Sequence, residues 1–211
     1  MKYLAIFDYC DTLFDGQSLQ LFIDYLFSHT PKRKWRKFFA TLQLRNTHEI
    51  RKYKSRAFAP YRGLPKAAMI KYAKDFFYTV LWPKHHDRML QRLKEHHLRG
   101  DIIIVISGGL EEYLQFLIKE IPVDRVISSR LLYHGEKFAG DIKEPECLGE
   151  EKVRRLYEEI DMSDFDCTKS TIYSDSQSDI PLLNQFGNAV VVGKSPQAPD
   201  WLLPNYQYLQ L

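Results

Sequence analysis

Two apolar rhythms alternate along this chain. Short runs dominated by Ile, Val, Leu and aromatic side chains occur at residues 2–7, 101–106, 170–174 and 188–192. Runs of that length without a polar face fit strands of a parallel sheet covered on both sides. Residues 125–128 read as a further strand, and 130–133 and 137–141 flank His134-Gly135-Glu136 as an expected hairpin with Gly135 at its turn. Elsewhere apolar residues recur every three or four positions, as in Leu19, Phe22, Ile23, Leu26 and Phe27, the spacing of a helix with one buried face. Helices are expected at 18–27, 34–44, 48–58, 65–81, 83–97, 110–120, 150–160 and 178–186. Pro65 and Pro83 suit first helical turns. Strands alternating with helices give an α/β fold, a doubly wound parallel sheet with right-handed crossovers. The stretch 15–97 is a helical insertion after the first strand, which leaves 1–14 and 98–211 to build the sheet domain. The tail, with Pro196, Pro199, Trp201, Pro204, Tyr206 and Tyr208, is expected to be irregular.

Polar residues gather where the strands end, the edge at which open α/β sheets hold ligands. The first strand runs into Asp8-Tyr9-Cys10-Asp11-Thr12-Leu13, and the second into Ser107-Gly108-Gly109. A hydroxyl followed by two glycines at a helix start offers an O–H and unhindered backbone N–H groups to a phosphate. Cys147-Leu148-Gly149-Glu150-Glu151-Lys152 is a Gly-opened helix start with a lysine on its first turn. The run from Tyr173 to Leu183 places Asp175 at a strand end and Asp179 on the following turn, among small hydroxyl residues. Two carboxylates in that setting suit an oxygen-only site for a hard cation such as Mg2+. The competing reading is a polar loop in which Asp179 caps a helix.

These four segments, in this order, resemble the haloacid dehalogenase superfamily of phosphohydrolases, most closely its phosphoserine-phosphatase-like branch. The resemblance implies a Rossmann-like core with a helical cap at 15–97. It implies that Asp8 attacks phosphorus to form an aspartyl-phosphate, and that Ser107, Gly108 and Lys152 hold the phosphoryl oxygens. It also implies that Asp8, Asp175 and the backbone carbonyl of Cys10 hold Mg2+, with Asp179 beside or behind them. The family pattern is Asp-x-Asp-x-Thr, and here Cys10 stands where the second Asp protonates the leaving oxygen. Asp11, one place later, is a candidate for that proton transfer, and Cys10 holds the family position. A thiol is a weak donor, and losing a general acid or base slows a reaction by about 10²–10⁴. The alternative reading is therefore a catalytically impaired protein of this fold that binds phosphate ligands or a partner through its basic cap.

Composition narrows the setting. A chain of 211 residues that is 45% hydrophobic can bury a sizeable core. No apolar run approaches the roughly 20 residues that span a bilayer, and Asp8 interrupts the amino-terminal apolar stretch, so a cytoplasmic protein is expected. Three widely spaced cysteines fit a reducing compartment without a disulfide framework, and Cys147 and Cys167 read as structural thiols. His85-His86 and His96-His97 are expected at the surface, since adjacent helical positions point apart. The net charge of +3 conceals an asymmetry, because residues 31–66 hold twelve Lys or Arg and one acid, Glu49. Trp35, Phe38, Phe39, Tyr53, Phe58 and Tyr61 are interleaved with them. One reading is a solvated helix face. The other is a surface for a small phosphorylated metabolite, a lipid phosphate or an anionic membrane. No base-reading module is recognisable, so nucleic acid is not the expected partner.

Overall fold

The computed structural model describes residues 2–30 and 50–211, with side chains from residue 54 onward in the second stretch. Seven strands form one sheet: β1 (Leu4–Asp8), β2 (Ile102–Leu110), β3 (Arg125–His134), β4 (Lys137–Lys143), β5 (Thr171–Ser174), β6 (Asn188–Gly193) and β7 (Gln207–Gln210). Their spatial order is β4-β3-β2-β1-β5-β6-β7. Every neighbouring pair is parallel except the β3–β4 hairpin. The order reverses at β1, which pairs with β2 on one side (Asp8↔Ile106) and β5 on the other (Phe7↔Tyr173). The crevice at such a reversal is where this architecture binds its ligand.

The period-two alternation of side chains explains why both faces are apolar. Along β1 and β2, Ala5, Phe7, Ile103 and Val105 join one hydrophobic cluster, while Leu4, Ile6, Ile104 and Ile106 join the other. The first cluster is covered by α1 (Ser18–His29), α2 (Ile50–Phe58), α3 (Lys66–Phe76) and α4 (Asp87–Leu98). Their contributions include Phe22, Phe58, Phe76 and Leu93. The helices of the expected insertion thus share a continuous apolar interior with β1 and β2. After the two short helices α5 (Glu111–Leu114) and α6 (Leu117–Glu120), the second cluster is covered by α7 (Glu150–Glu159) and α8 (Ile180–Leu183), through Leu156, Leu182 and Leu183. Truncating any of these fully buried Leu, Ile or Phe side chains to Ala costs about 2–5 kcal/mol.

Several elements depart from the sequence expectation. Residues 125–134 form one continuous strand whose second half pairs with β4. The expected helix at 110–120 is broken into α5 and α6. The tail is not wholly irregular, since β7 extends the sheet beside β6. The helix begun at Lys66 passes into a π-helical turn over Phe77–Leu81 and a 3-10 turn over Trp82–Lys84, with Pro65 just before it and Pro83 inside the 3-10 turn. His96 is buried at 3% exposure rather than at the surface. Its Nδ1–H donates to Asp101 Oδ2 at 2.7 Å, and its Nε2 meets the Tyr173 hydroxyl at 2.9 Å. The expected helix at 34–44 lies outside the described residues. Among the described residues no helix is long and apolar enough to cross a membrane.

Candidate active site

Asp8 closes β1 at the carboxyl edge, 6% exposed, and the chain then turns sharply. Leu13 N–H and Phe14 N–H both donate to the Tyr9 carbonyl, and Asp11 adopts a left-handed backbone conformation (φ 51°). Across the crevice, β5 ends at Ser174 and delivers Asp175, with Asp179 completing a single 3-10 turn at Gln177–Asp179. From the opposite face α7 brings in Lys152. Gly149 precedes this helix at φ 54°, ψ −126°, a conformation open to glycine and strained for other residues.

These side chains interlock. Lys152 Nζ donates to Asp8 Oδ1 at 2.7 Å and to Asp179 Oδ2 at 2.6 Å, all three residues being buried. Ser174 Oγ also donates to Asp179 Oδ2, at 2.7 Å. Asp179 Oδ1 is left buried with no hydrogen-bond partner. Burial, and then the Asp179 charge, push the Asp8 carboxyl up to about 6 despite Lys152. Burial and the charges of Asp8 and Asp11 push Asp175 up to about 7. Burial alone would lower Lys152, but Asp8 and Asp179 outweigh it and hold the ammonium well above the usual lysine range. The site therefore carries more anionic charge than Lys152 neutralises.

Ser107 and Gly108 belong to β2 itself, not to a helix start, where the β2–β3 register slips between Ser107 and Leu110. Gly109 N–H donates to Ser107 Oγ at 3.0 Å, which leaves the hydroxyl proton for a ligand. Gly109 is itself required by close packing, because a Cβ there would sit 3.0 Å from both Ser18 Oγ and Tyr113 Oη. Asp8, Cys10, Ser107, Gly108, Lys152, Asp175 and Asp179 line one cavity of about 420 Å³. Its outer wall comes from Gln17, Ser18, Leu19, Gln20 and Ile23 of α1 and its approach, Lys54 of α2, and Leu148.

The structure separates the two candidates for proton transfer. Cys10 faces the cavity, its Sγ 3.2 Å from Ser18 Oγ, which in turn lies 2.9 Å from Tyr113 Oη. Burial and the neighbouring Asp8 push its thiol up to about 12, so it keeps its proton at neutral pH. Asp11 turns the other way. Its carboxylate accepts from Gln17 Nε2 at 2.6 Å and from Lys194 Nζ at 3.1 Å, and it lines an adjacent cavity with Lys194 and Tyr208.

The sequence reading passed over Thr12, Ser174 and Ser18. Thr12, fully buried, donates from Oγ1 to Asp175 Oδ1 at 3.3 Å and steadies it from below. Its signal was its place two residues after Cys10, where the family motif has Thr. Ser174 and Ser18 had none, since each acts through a neighbour that only the fold supplies.

The haloacid dehalogenase-like hydrolase family model matches residues 5–184. The chain belongs to this family. Among curated relatives, a protein of Streptomyces azureus named for inhibition of morphological differentiation is 24% identical over 114 residues, 54% of this chain and 41% of that protein. A probable phosphatase of Mycobacterium tuberculosis is 27% identical over 130 residues, covering 62% and 45% respectively. The matched region is thus less than half the length of these relatives. A Bordetella pertussis protein of unknown function has a similar structure, with a TM-score of 0.76, 18% identity and coverage of 93% of this chain and 92% of that one. A phosphoserine phosphatase solved as an analogue of its phospho-aspartyl intermediate gives a TM-score of 0.63, 17% identity and coverage of 90% and 86%. At these identities the structures establish a shared fold.

Proposed function

We propose that this protein hydrolyses phosphate monoesters through an aspartyl-phosphate formed on Asp8. The observation that carries the reading is the Asp8–Lys152–Asp179 cluster, closed against Ser107 and Asp175 in one cavity at the sheet's reversal. An Asp8 oxygen attacks phosphorus as the bond to the ester oxygen breaks, which divides the hydrolysis into two easier steps. The Lys152 ammonium, the Ser107 hydroxyl and the Gly108 N–H hold the non-bridging oxygens where charge accumulates. Water then attacks the aspartyl-phosphate, releasing phosphate and restoring Asp8.

The oxygen donors suit Mg2+ chemically, although among the described residues no three acidic, His or Cys side chains are gathered into a ready-made metal site. Asp179 Oδ1 is buried without a partner, and Asp8 and Asp175 both bind protons more readily than ordinary carboxylates, first because they are buried and then because other carboxylates adjoin them. Asp8, Asp175 and the Cys10 carbonyl would hold the ion, with Asp179 beside or behind them. When bound, it supplies charge that offsets carboxylate–phosphate repulsion. Release of phosphate from p-nitrophenyl phosphate, measured with Mg2+ and with a chelator, tests the proposal. Metal-dependent release by the wild type and none by Asp8→Asn is expected. Activity retained in Asp8→Asn would overturn it.

A second reading has its own observation. No carboxylate stands at Cys10, and Asp11 is turned towards Gln17 and Lys194, which favours a phosphate-binding protein with impaired turnover. Phosphate binding without hydrolysis of p-nitrophenyl phosphate is its signature. The basic, aromatic stretch 31–66 supports association with an anionic membrane or a lipid phosphate, and the absence of any disulfide among the three cysteines supports a cytoplasmic setting. Co-sedimentation with phosphatidylglycerol vesicles but not phosphatidylcholine vesicles tests the first of these.

A further inference from the structure

We infer that the alcohol carried by the substrate phosphate is uncharged and hydroxyl-bearing, and that Gln17, held in place by Asp11, enforces this choice. The inference deepens the proposed function and rests on it. Among the described residues, the acids lining the cavity, Asp8, Asp175 and Asp179, all belong to the phosphoryl end. The opposite wall is built from amide, hydroxyl and apolar side chains, Gln17, Ser18, Leu19, Gln20 and Ile23, together with Lys54.

Lys54 does not leave that wall cationic. Its Nζ lies 2.5 Å from Glu146 Oε2, and the two side chains are only 13% and 12% exposed. A ligand carboxylate reaching for Lys54 would have to displace Glu146 and strand it, a costly exchange for a largely buried pair. Among the described residues of that wall, a ligand ammonium would meet no carboxylate that is not already paired, Glu146 being held by Lys54, and would lose its hydration uncompensated. A hydroxyl meets neither obstacle.

Gln17 gives that wall its directional group. A carboxylate only accepts hydrogen bonds, so the 2.6 Å contact with Asp11 Oδ2 fixes the amide nitrogen on the Asp11 side. The carbonyl oxygen is then the end left to receive a ligand O–H. Lys194, bonded to the other Asp11 oxygen, holds the carboxylate facing Gln17. Asp11 is on this account a positioning residue, which explains why it stands beside the nucleophile loop with its carboxylate outside the cavity of Asp8.

The test uses the full chain carrying Asp8→Asn, which retains ligands without consuming them. Titration calorimetry with Mg2+ compares glycerol 3-phosphate, phosphoethanolamine and O-phosphoserine. Glycerol 3-phosphate should bind at least about tenfold more tightly than either amine, the scale set by an unmatched polar group in a binding site. Adding Asp11→Asn together with Gln17→Glu exchanges amide and carboxylate while keeping their hydrogen bond, and moves the charge onto the cavity wall. This variant should narrow the preference against phosphoethanolamine or reverse it. Equal or tighter binding of the amines in the parent, or an unchanged ratio in the exchanged variant, overturns the inference. Wild-type inactivity towards p-nitrophenyl phosphate would instead remove the phosphatase reading, and the binding order would still decide this one.

Discussion

Lys152 Nζ sits 2.7 Å from Asp8 Oδ1, so the proposed nucleophile is held by a cation from the far side of the sheet. The contact joins a residue at the end of β1 to one on the first turn of α7, 144 positions later. The same ammonium also serves Asp179, which makes it the common counter-charge of two buried carboxylates.

Removing that counter-charge should be felt in stability as well as turnover. Lys152→Met leaves Asp8 and Asp179 buried without their partner and should cost about 3–5 kcal/mol near pH 7.5. Asp8, already pushed up to about 6 with Lys152 present, should rise further in the variant and so take up its proton earlier than in the wild type as the pH falls. The deficit relative to wild type should therefore shrink between about pH 7.5 and pH 5. Urea denaturation at the two pH values measures it, and a deficit independent of pH would contradict the assignment.

Asp8→Asn should abolish phosphate release and leave the fold intact, since the amide keeps the shape of the side chain at the end of β1. Far-ultraviolet circular dichroism and a thermal melt check the fold, and a phosphate assay checks the chemistry.

The two residues after the nucleophile should behave differently. Cys10→Asp puts a carboxyl at the cavity face and should raise turnover of alkyl phosphates by on the order of 10²-fold, with a smaller gain on p-nitrophenyl phosphate. Asp11→Asn should slow neither substrate much, because its carboxylate is committed to Gln17 and Lys194. A large selective loss on alkyl phosphates in Asp11→Asn would return the proton to Asp11.

Glu112 offers a prediction away from the site. It is buried beneath β3, accepting from Leu131 N–H, and burial pushes its carboxyl up from 4.5 to about 7. A group whose folded value is raised binds its proton better in the native state, so stability falls as pH rises from about 4.5 to about 7. Glu112→Gln, which removes the ionisation, should stabilise the protein more at pH 8 than at pH 5. Thermal melts of both proteins at the two pH values decide it.

The four motif segments and the α/β alternation were legible because each rests on local pattern, a short buried run followed by polar residues. What escaped depended on partners distant in sequence or on backbone conformation. The burial of His96 follows from Asp101 and Tyr173, which only the packed sheet brings to it. Ser107-Gly108-Gly109 looked like a helix start because glycine suits one, whereas the register slip beside β3 keeps it extended. The direction of Asp11 hangs on one left-handed residue, which spacing along a motif does not reveal. β7 lies among prolines and aromatics, and its strand character comes from the open edge of β6.

The central position of β1 sets the order in which a nascent chain can become an enzyme. Ala5 finds its neighbour Thr171 only after β2, β3 and β4 have all been synthesised. Until then the strand bearing Asp8 has one unsatisfied backbone edge, the kind of surface that pairs with other chains. Such distant pairing slows folding, because long loops must close before the contacts form. A fragment ending before β5 lacks Asp175 and Asp179 as well as the strand that fixes Asp8 from that side. On the proposed mechanism, partial products are therefore inert towards phosphate esters until β5 has closed the sheet.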